Sequence, residues 1–123
     1  MFSKDALKGQ RILVTGGGSG LGKEMSRHFL KHGSEVVICG RREPVLQDTV
    51  KELTDETGGN ISCFALDIRD SLAIESAIED LFAEKPLTGL VNNAAGNLSA
   101  GPRIYLLMVL MLLPALYFME LFI

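Results

Sequence analysis

A glycine-rich stretch near the amino terminus is the part of the sequence best suited to chemistry. Thr15-Gly16-Gly17-Gly18-Ser19-Gly20-Leu21-Gly22 follows an apolar run and leads into residues with helical spacing. The free N–H groups and partial positive charge of a helix N-terminus attract phosphate groups. Gly16 permits a tight turn, and the glycines at positions 18, 20 and 22 let the backbone approach a ligand closely. The stretch therefore predicts a dinucleotide pyrophosphate site, although these residues alone would also fit a flexible strand-to-helix turn.

A second candidate lies where the second predicted strand ends. An acidic residue about 20 residues past such glycines usually holds the ribose 2′-hydroxyl of NAD, but this chain reads Gly40-Arg41-Arg42 there. Arginines give charge-assisted hydrogen bonds to a 2′-phosphate, and no carboxylate stands there to repel it. The pattern favours NADP over NAD. Alternatively, both arginines are surface charges at a helix start, which the helix dipole would slightly disfavour.

Polar residues also follow the third and fourth predicted strands. Asp67 could accept a hydrogen bond from an adenine amino group, or it could merely cap the next turn. Asn92-Asn93-Ala94-Ala95-Gly96 combines small residues, which let a flat ligand lie close to the backbone, with Asn side chains that tie neighbouring loops together. We predict no metal site, because Cys39 and Cys63 fall in apolar runs and are expected to be buried free thiols.

The elements that must position these residues alternate between strand and helix. We predict strands over residues 11–15, 35–39, 61–66 and 89–91, and helices over about 20–32, from Pro44 to a break at Gly58, and over about 71–84. The first helix is expected to bury Leu21, Met25 and Phe29. The predicted fold class is α/β: an incomplete Rossmann-like parallel sheet of about four strands with helices on both faces, within residues 1–97.

The composition limits the possible partners. The chain has 123 residues, about one small domain, and its net charge of −3 offers no basic field for nucleic acid. Its first ten residues are polar and charged, so no secretory signal is expected and a cytoplasmic location is predicted.

Three motifs together resemble the cofactor half of the short-chain dehydrogenase/reductase family. They are the glycine-rich stretch, Asp67-Ile68 and the N-N-A-A-G run, which occur in the family's order over about residues 7–97. Within that family, G-R-R and N-A-A-G-N resemble the NADPH-dependent 2,4-dienoyl-CoA reductases. The resemblance implies an NADP(H)-dependent oxidoreductase acting on enoyl-CoA, dienoyl-CoA or carbonyl substrates, with an intact relative that is a homo-oligomer.

The resemblance also implies a role for each motif residue. Arg41 would hold the 2′-phosphate of NADPH, Asp67 the adenine, and Asn93 the ribose side of the cofactor. The pyrophosphate and its ribose would lie against Gly16, Gly18, Ser19, Gly20, Leu21 and Gly22.

The sequence departs from the family pattern in its second half. The family's chemistry uses a Tyr-x-x-x-Lys helix, in which the tyrosine is the general acid and the lysine lowers its pKa. Tyr105 and Tyr117 are followed four positions on by Val109 and Leu121 instead. No catalytic residue is therefore predicted, and this chain is expected not to catalyse hydride transfer.

Residues 98–123 form an aberrant apolar tail with two interpretations. At face value, about 20 apolar residues could span a bilayer, interrupted only by Pro114 and Glu120, which would make a membrane-anchored NADP-binding module without catalysis. We favour the loss of one nucleotide after the Asn97 codon. The neighbouring reading frame is then polar at first and amphipathic afterwards, and it resembles the segment that the reductases carry there. A buried part of the domain is disfavoured, because no polar–apolar period is visible.

Overall fold

The computed structural model describes residues 4–18, 20–67 and 69–93, and the backbone of a strand at 118–120. Strand and helix alternate, and every predicted element is confirmed to within one residue at either end. In chain order the predicted elements are β1 Arg11–Thr15, α1 Gly20–Lys31, β2 Glu35–Gly40, α2 Glu43–Thr57, β3 Ile61–Ala65, α3 Ser71–Glu84 and β4 Gly89–Asn92, and a further strand, β5 Phe118–Glu120, follows them.

The strands form one parallel sheet in the order β3-β2-β1-β4-β5. The chain moves outward from β1 to β3 and then returns to place β4 on the other side of β1. In an open parallel sheet, ligands bind outside the carboxyl ends of the strands at such a reversal. That point lies here beyond Thr15, which is in register with Cys39 of β2 and Asn92 of β4.

Two apolar clusters cover the two faces of the sheet, as the apolar strands predict. Helix α3 packs on one face, where Leu13 and Leu90 meet Ile74 and Ile78. Helices α1 and α2 pack on the other face, in a cluster whose buried members include Val14, Val36, Ile38, Leu30, Leu46 and Leu53. The carboxyl ends of the strands are therefore held by a core on both sides.

The buried face of α1 differs from the prediction. Leu21 is 45% exposed, and the buried positions are Gly22, Ser26 and Leu30, while Met25 and Phe29 are only partly buried. The reason is that Gly22 carries no side chain, so this position of the helix packs directly against the turn after β1. The neighbouring residue, Leu21, therefore faces outward. The exposed Leu21 is the second residue of α1 and belongs to the glycine-rich stretch.

The cysteines are free thiols, as predicted, but only Cys39 is fully buried. Burial raises the pKa of the Cys39 thiol to about 12. Cys63 is half-buried, because it lies on β3 at the edge of the sheet.

Part of the apolar tail joins the sheet, which the sequence did not predict. Phe118–Glu120 pairs with Leu90–Asn92 as a parallel strand. Without β5, the edge of β4 would present a row of unpaired backbone groups. Such an edge pairs with another strand whatever the side-chain pattern of that strand. The rest of the tail, including Tyr105 and Tyr117, lies outside the described residues. Within the described ranges, none of the helices is both long and apolar enough to cross a bilayer.

Candidate functional site

The glycine-rich loop connects β1 to α1 through two residues with left-handed backbone. The φ angle is 66° at Gly16 and 58° at Gly20, a region that residues with a Cβ rarely adopt. The Gly16 N–H donates to the Cys39 carbonyl oxygen at 2.9 Å, which ties the start of the loop to β2. The tight turn expected at Gly16 is therefore present, and a second left-handed residue opens α1.

The loop is packed against its surroundings rather than free. A Cβ at Gly17 would lie 2.6 Å from the Cβ of Ile38, and one at Gly22 would lie 2.7 Å from Asn93 Nδ2 and overlap the Gly16 carbonyl oxygen. The Thr49 hydroxyl of α2 donates to the Gly18 carbonyl oxygen at 2.7 Å. These contacts argue against the flexible-turn interpretation. Ser19, predicted for the same site, lies outside the described residues.

The end of β4 is joined to the start of the loop by hydrogen bonds. The Asn93 N–H donates to the Thr15 hydroxyl at 2.9 Å, and that hydroxyl donates to Asn92 Oδ1 at 3.0 Å. Asn93 Nδ2 also reaches the Gly16 carbonyl oxygen at 3.4 Å. The expected tie between neighbouring loops is thus confirmed. Asn93 Oδ1 is buried and has no hydrogen-bond donor among the described residues.

The ends of β2 and β3 bring Arg41 and Asp67 together. The Leu66 N–H donates to the Gly40 carbonyl oxygen at 2.7 Å, so the residues that follow these two lie on adjacent strand ends. Arg41 and Arg42 are both exposed. Arg42 is the N-cap of α2 but makes no side-chain cap hydrogen bond. Both guanidinium groups are thus open to an anion at the rim of the sheet.

Asp67 is held by Arg69, a residue that the sequence reasoning missed. Asp67 Oδ1 accepts from the Arg69 N–H at 2.9 Å and from Nε at 3.0 Å, and Oδ2 accepts from Nη2 at 2.8 Å. These hydrogen bonds, first from the guanidinium and then from the backbone, together with the nearby charges of Arg69 and Arg41, lower the pKa of Asp67 to about 2. The turn-capping role considered for Asp67 is therefore present. The Asp-x-Arg spacing was the signal for this pair.

The described candidate residues all lie along the carboxyl edge of the sheet. Gly16, Gly22 and Asn93 are in mutual contact beside β1 and β4, while Arg41 and Asp67 are neighbours beyond β2 and β3. Backbone N–H groups at the start of α1, the side-chain amide of Asn93 and exposed guanidiniums suit a long anionic ligand lying across the edge.

The model of the short chain dehydrogenase family matches residues 10–105 of this chain. The chain belongs to this family. That membership agrees with the parallel sheet, its reversal beside β1 and the glycine-rich loop that opens α1. The resemblance to this family predicted from the three motifs is therefore confirmed.

Relatives within the family support the finer resemblance to dienoyl-CoA reductases. The chain is 41% identical over 95 residues to a probable 2,4-dienoyl-CoA reductase ((3E)-enoyl-CoA-producing) of Caenorhabditis elegans, which covers 75% of this chain and 30% of the relative. The chain spans about a third of the length of the curated relatives that it matches.

Solved structures share the fold. A citronellol catabolism dehydrogenase of Pseudomonas aeruginosa superposes with a TM-score of 0.73 and 34% identity, over 81% of this chain and 42% of that one. A protein of Escherichia coli CFT073 solved in complex with NADPH has a TM-score of 0.72 and 26% identity, over 93% of this chain and 54% of that one.

Proposed function

We propose that this chain is the cofactor-binding half of an NADP(H)-dependent oxidoreductase that acts on enoyl-CoA, dienoyl-CoA or carbonyl substrates. The observation that supports the proposal most directly is the close packing of the glycine-rich loop at the point beside β1 where the strand order reverses. There the absence of side chains at Gly17 and Gly22 lets the loop lie directly on β2 and Asn93. Family relatives named as 2,4-dienoyl-CoA reductases support the substrate class.

The proposed cofactor fits the residues along the carboxyl edge. The pyrophosphate would lie against the N-terminus of α1 and the loop from Gly16 to Gly22. The buried Asn93 Oδ1, which has no donor among the residues that the structure describes, would accept a hydrogen bond from a ribose hydroxyl. Arg41 would bind the 2′-phosphate, and Asp67 would accept from the adenine amino group. When bound, the cofactor would supply the hydride.

NADP is proposed over NAD because of the charges beyond β2. Arg41 and Arg42 are exposed at the strand end where an acidic residue would select NAD. A related fold from Escherichia coli CFT073 was solved with NADPH, which adds support for the phosphorylated cofactor.

The 123 residues hold no Tyr-x-x-x-Lys pattern. We therefore propose that this chain alone binds the cofactor weakly and transfers no hydride. The intact relative would be a cytoplasmic homo-oligomer that carries the rest of the family's domain.

Calorimetric titration of the purified full chain with 2′,5′-ADP and 5′-ADP tests the cofactor assignment. We expect 2′,5′-ADP to bind about tenfold more tightly, because charge-assisted hydrogen bonds are roughly twice as strong as neutral ones. Arg41→Gln should remove this preference, whereas Lys51→Gln, an exposed charge on α2, should retain it. Equal binding of the two nucleotides would exclude NADP selection, and binding of neither would exclude the cofactor site.

The coding DNA tests the origin of the tail. If one nucleotide was lost after the Asn97 codon, the neighbouring frame should continue into a Tyr-x-x-x-Lys segment, and restoring the nucleotide should yield NADPH-dependent reductase activity. A frame without that segment would overturn the frameshift.

The second candidate function, a membrane-anchored NADP-binding module, is favoured by the apolar run at 104–123. If this function is correct, the chain should float with neutral lipid vesicles in a density gradient, and removal of residues 98–123 should abolish that flotation. A chain that stays unbound to vesicles would exclude this candidate.

A further inference from the structure

The pair formed by Asp67 and Arg69 lies at the rim of the candidate site and is open to a ligand. Arg69 contacts both carboxylate oxygens of Asp67 through Nε and Nη2, at 2.8 to 3.3 Å. The side chains remain 38% exposed at Asp67 and 58% exposed at Arg69. A bidentate guanidinium–carboxylate pair is geometrically specific, so the positive charge of Arg69 stays beside Asp67 rather than averaging over the surface.

The pair lies next to the residue proposed to bind the 2′-phosphate. Gly40 and Ala65 are in register at the ends of β2 and β3, so Arg41 directly follows one strand end and Asp67 lies two residues beyond the next. Adjacent strands are about 4.8 Å apart, and the charge of Arg41 acts on Asp67, whose pKa it helps to lower. A phosphate held by Arg41 would therefore lie within about 10 Å of the Asp67 carboxylate, the screening length at 0.1 M salt.

An unpaired carboxylate at this place would work against a phosphorylated ribose. A phosphate monoester carries about −1.5 to −2 charges at pH 7, so an isolated Asp67 would repel it while still serving the adenine amino group. Paired with Arg69, Asp67 contributes no net charge, and the guanidiniums of Arg41 and Arg42 act on the phosphate unopposed. A nucleotide without the 2′-phosphate would be affected little by this neutralisation.

We propose that Arg69 is a specificity-determining residue, which favours the phosphorylated ribose by neutralising Asp67 rather than by contacting the phosphate. This inference rests on the proposed function, since it takes the 2′-phosphate to lie at Arg41. It goes beyond that function because it assigns part of the cofactor selection to Arg69, which follows β3 and pairs with the carboxylate of Asp67.

The direct test is Arg69→Gln in the full chain, titrated at low salt with 2′,5′-ADP and 5′-ADP. We expect the affinity for 2′,5′-ADP to fall about fivefold, the size of an exposed charge interaction, and the affinity for 5′-ADP to change less than about twofold. The first effect should shrink as salt is raised. Lys51→Gln removes one positive charge from the exposed surface of α2 and is the matched control, with no change in the ratio of the two affinities.

The double variant Asp67→Asn/Arg69→Gln separates neutralisation from direct contact. Removing both charges leaves this place as neutral as the wild-type pair, so the ratio of the 2′,5′-ADP and 5′-ADP affinities should return to the wild-type value. A ratio in the double variant that stays as low as in Arg69→Gln would mean that Arg69 touches the phosphate, and equal losses for both nucleotides in Arg69→Gln would mean that it only shapes the adenine region. Either result would overturn the proposal.

A ligand-free measurement separates this proposal from the proposed function. By NMR titration, the pKa of Asp67 should rise from about 2 toward its ordinary 3.8 in Arg69→Gln, and an unchanged pKa would overturn the pairing itself. Equal affinity of the wild-type chain for the two nucleotides would overturn the proposed NADP selection together with this inference. Selective wild-type binding that Arg69→Gln leaves unaltered would overturn this inference alone.

Discussion

Gly22 controls the geometry of the candidate site through the side chain that it lacks. It is buried on the sheet-facing side of α1, against the Gly16 carbonyl oxygen and the side-chain amide of Asn93. This contact joins the start of the helix, the turn after β1 and the end of β4. The close packing at Gly22 therefore fixes the position of the backbone that would contact a pyrophosphate.

Gly22→Ala should lower the free energy of unfolding by about 1–2 kcal/mol, because overpacking against backbone atoms exceeds the gain in helix propensity. Urea unfolding monitored by circular dichroism measures this change. Lys31→Ala, on the exposed side of the same helix, is the control and should stay within about 0.5 kcal/mol of the wild type. A Gly22→Ala chain as stable as the wild type would mean that α1 does not lie this close to Gly16 and Asn93.

The acid response of the fold depends on Glu35. Partial burial alone would raise the pKa of Glu35, but hydrogen bonds from Lys85 and Arg11 outweigh it and hold the pKa below its usual 4.5. A carboxylate with a lowered pKa stabilises the fold above its unfolded pKa, and this stabilisation is lost as the pH falls through its folded pKa.

We therefore expect the free energy of unfolding to decrease as the pH falls below 4.5, and we expect Glu35→Gln to decrease less steeply there. Urea titrations at a series of pH values between neutrality and about pH 3 compare the two chains. An identical pH dependence in Glu35→Gln would remove Glu35 as a source of the acid sensitivity.

At the scale of elements, Arg11 fastens α3 to the amino-terminal edge of the sheet. Its guanidinium is buried and donates to the carbonyl oxygens of Leu81 and Lys85, at 2.7 and 2.6 Å, in the last turn of α3 and just beyond it. It also pairs with Glu35 of β2 and with Glu84. The Leu81 carbonyl oxygen also accepts from the Lys85 N–H at 3.2 Å. Because carbonyls at a helix C-terminus have few partners within the helix, the two hydrogen bonds from Arg11 stabilise the end of α3.

Arg11→Met should lower the free energy of unfolding by about 2–4 kcal/mol, because it removes the guanidinium hydrogen bonds to the Leu81 and Lys85 carbonyl oxygens and one of the two cationic partners of Glu35. Chemical denaturation and amide hydrogen exchange in α3 measure this loss. Glu84→Gln changes an exposed partner of the same arginine and should cost less than about 1 kcal/mol. An equal loss of unfolding free energy in Arg11→Met and Glu84→Gln would contradict the role of Arg11 in attaching α3 to the sheet.

The two cysteines report on the whole molecule, because one lies inside the sheet and the other on its edge strand. Cys39 is buried on β2 between β1 and β3, and Cys63 is half-buried on β3. Central strands open only with global unfolding, whereas edge strands open locally at lower free energy.

A thiol reagent should therefore modify Cys63 in the native chain and modify Cys39 only at the rate of global unfolding. Mass spectrometry of peptides after a time course of labelling distinguishes the two sites, and labelling in urea provides the fully reactive reference. Equal rates for both thiols under native conditions would contradict a stable central sheet.

Short-range patterns in the sequence were enough to predict the alternating strands and helices, the turn at Gly16 and the family. Apolar periodicity, glycines and prolines act within a few residues of themselves, so they can be read without tertiary contacts. The outward position of Leu21 could not be read in this way, since it depends on how closely Gly22 lets α1 approach another element. The attachment of α3 by Arg11 and the strand at Phe118–Glu120 were likewise decided by the fold. Each of them depends on which backbone or charged group is left without a partner once the chain has folded.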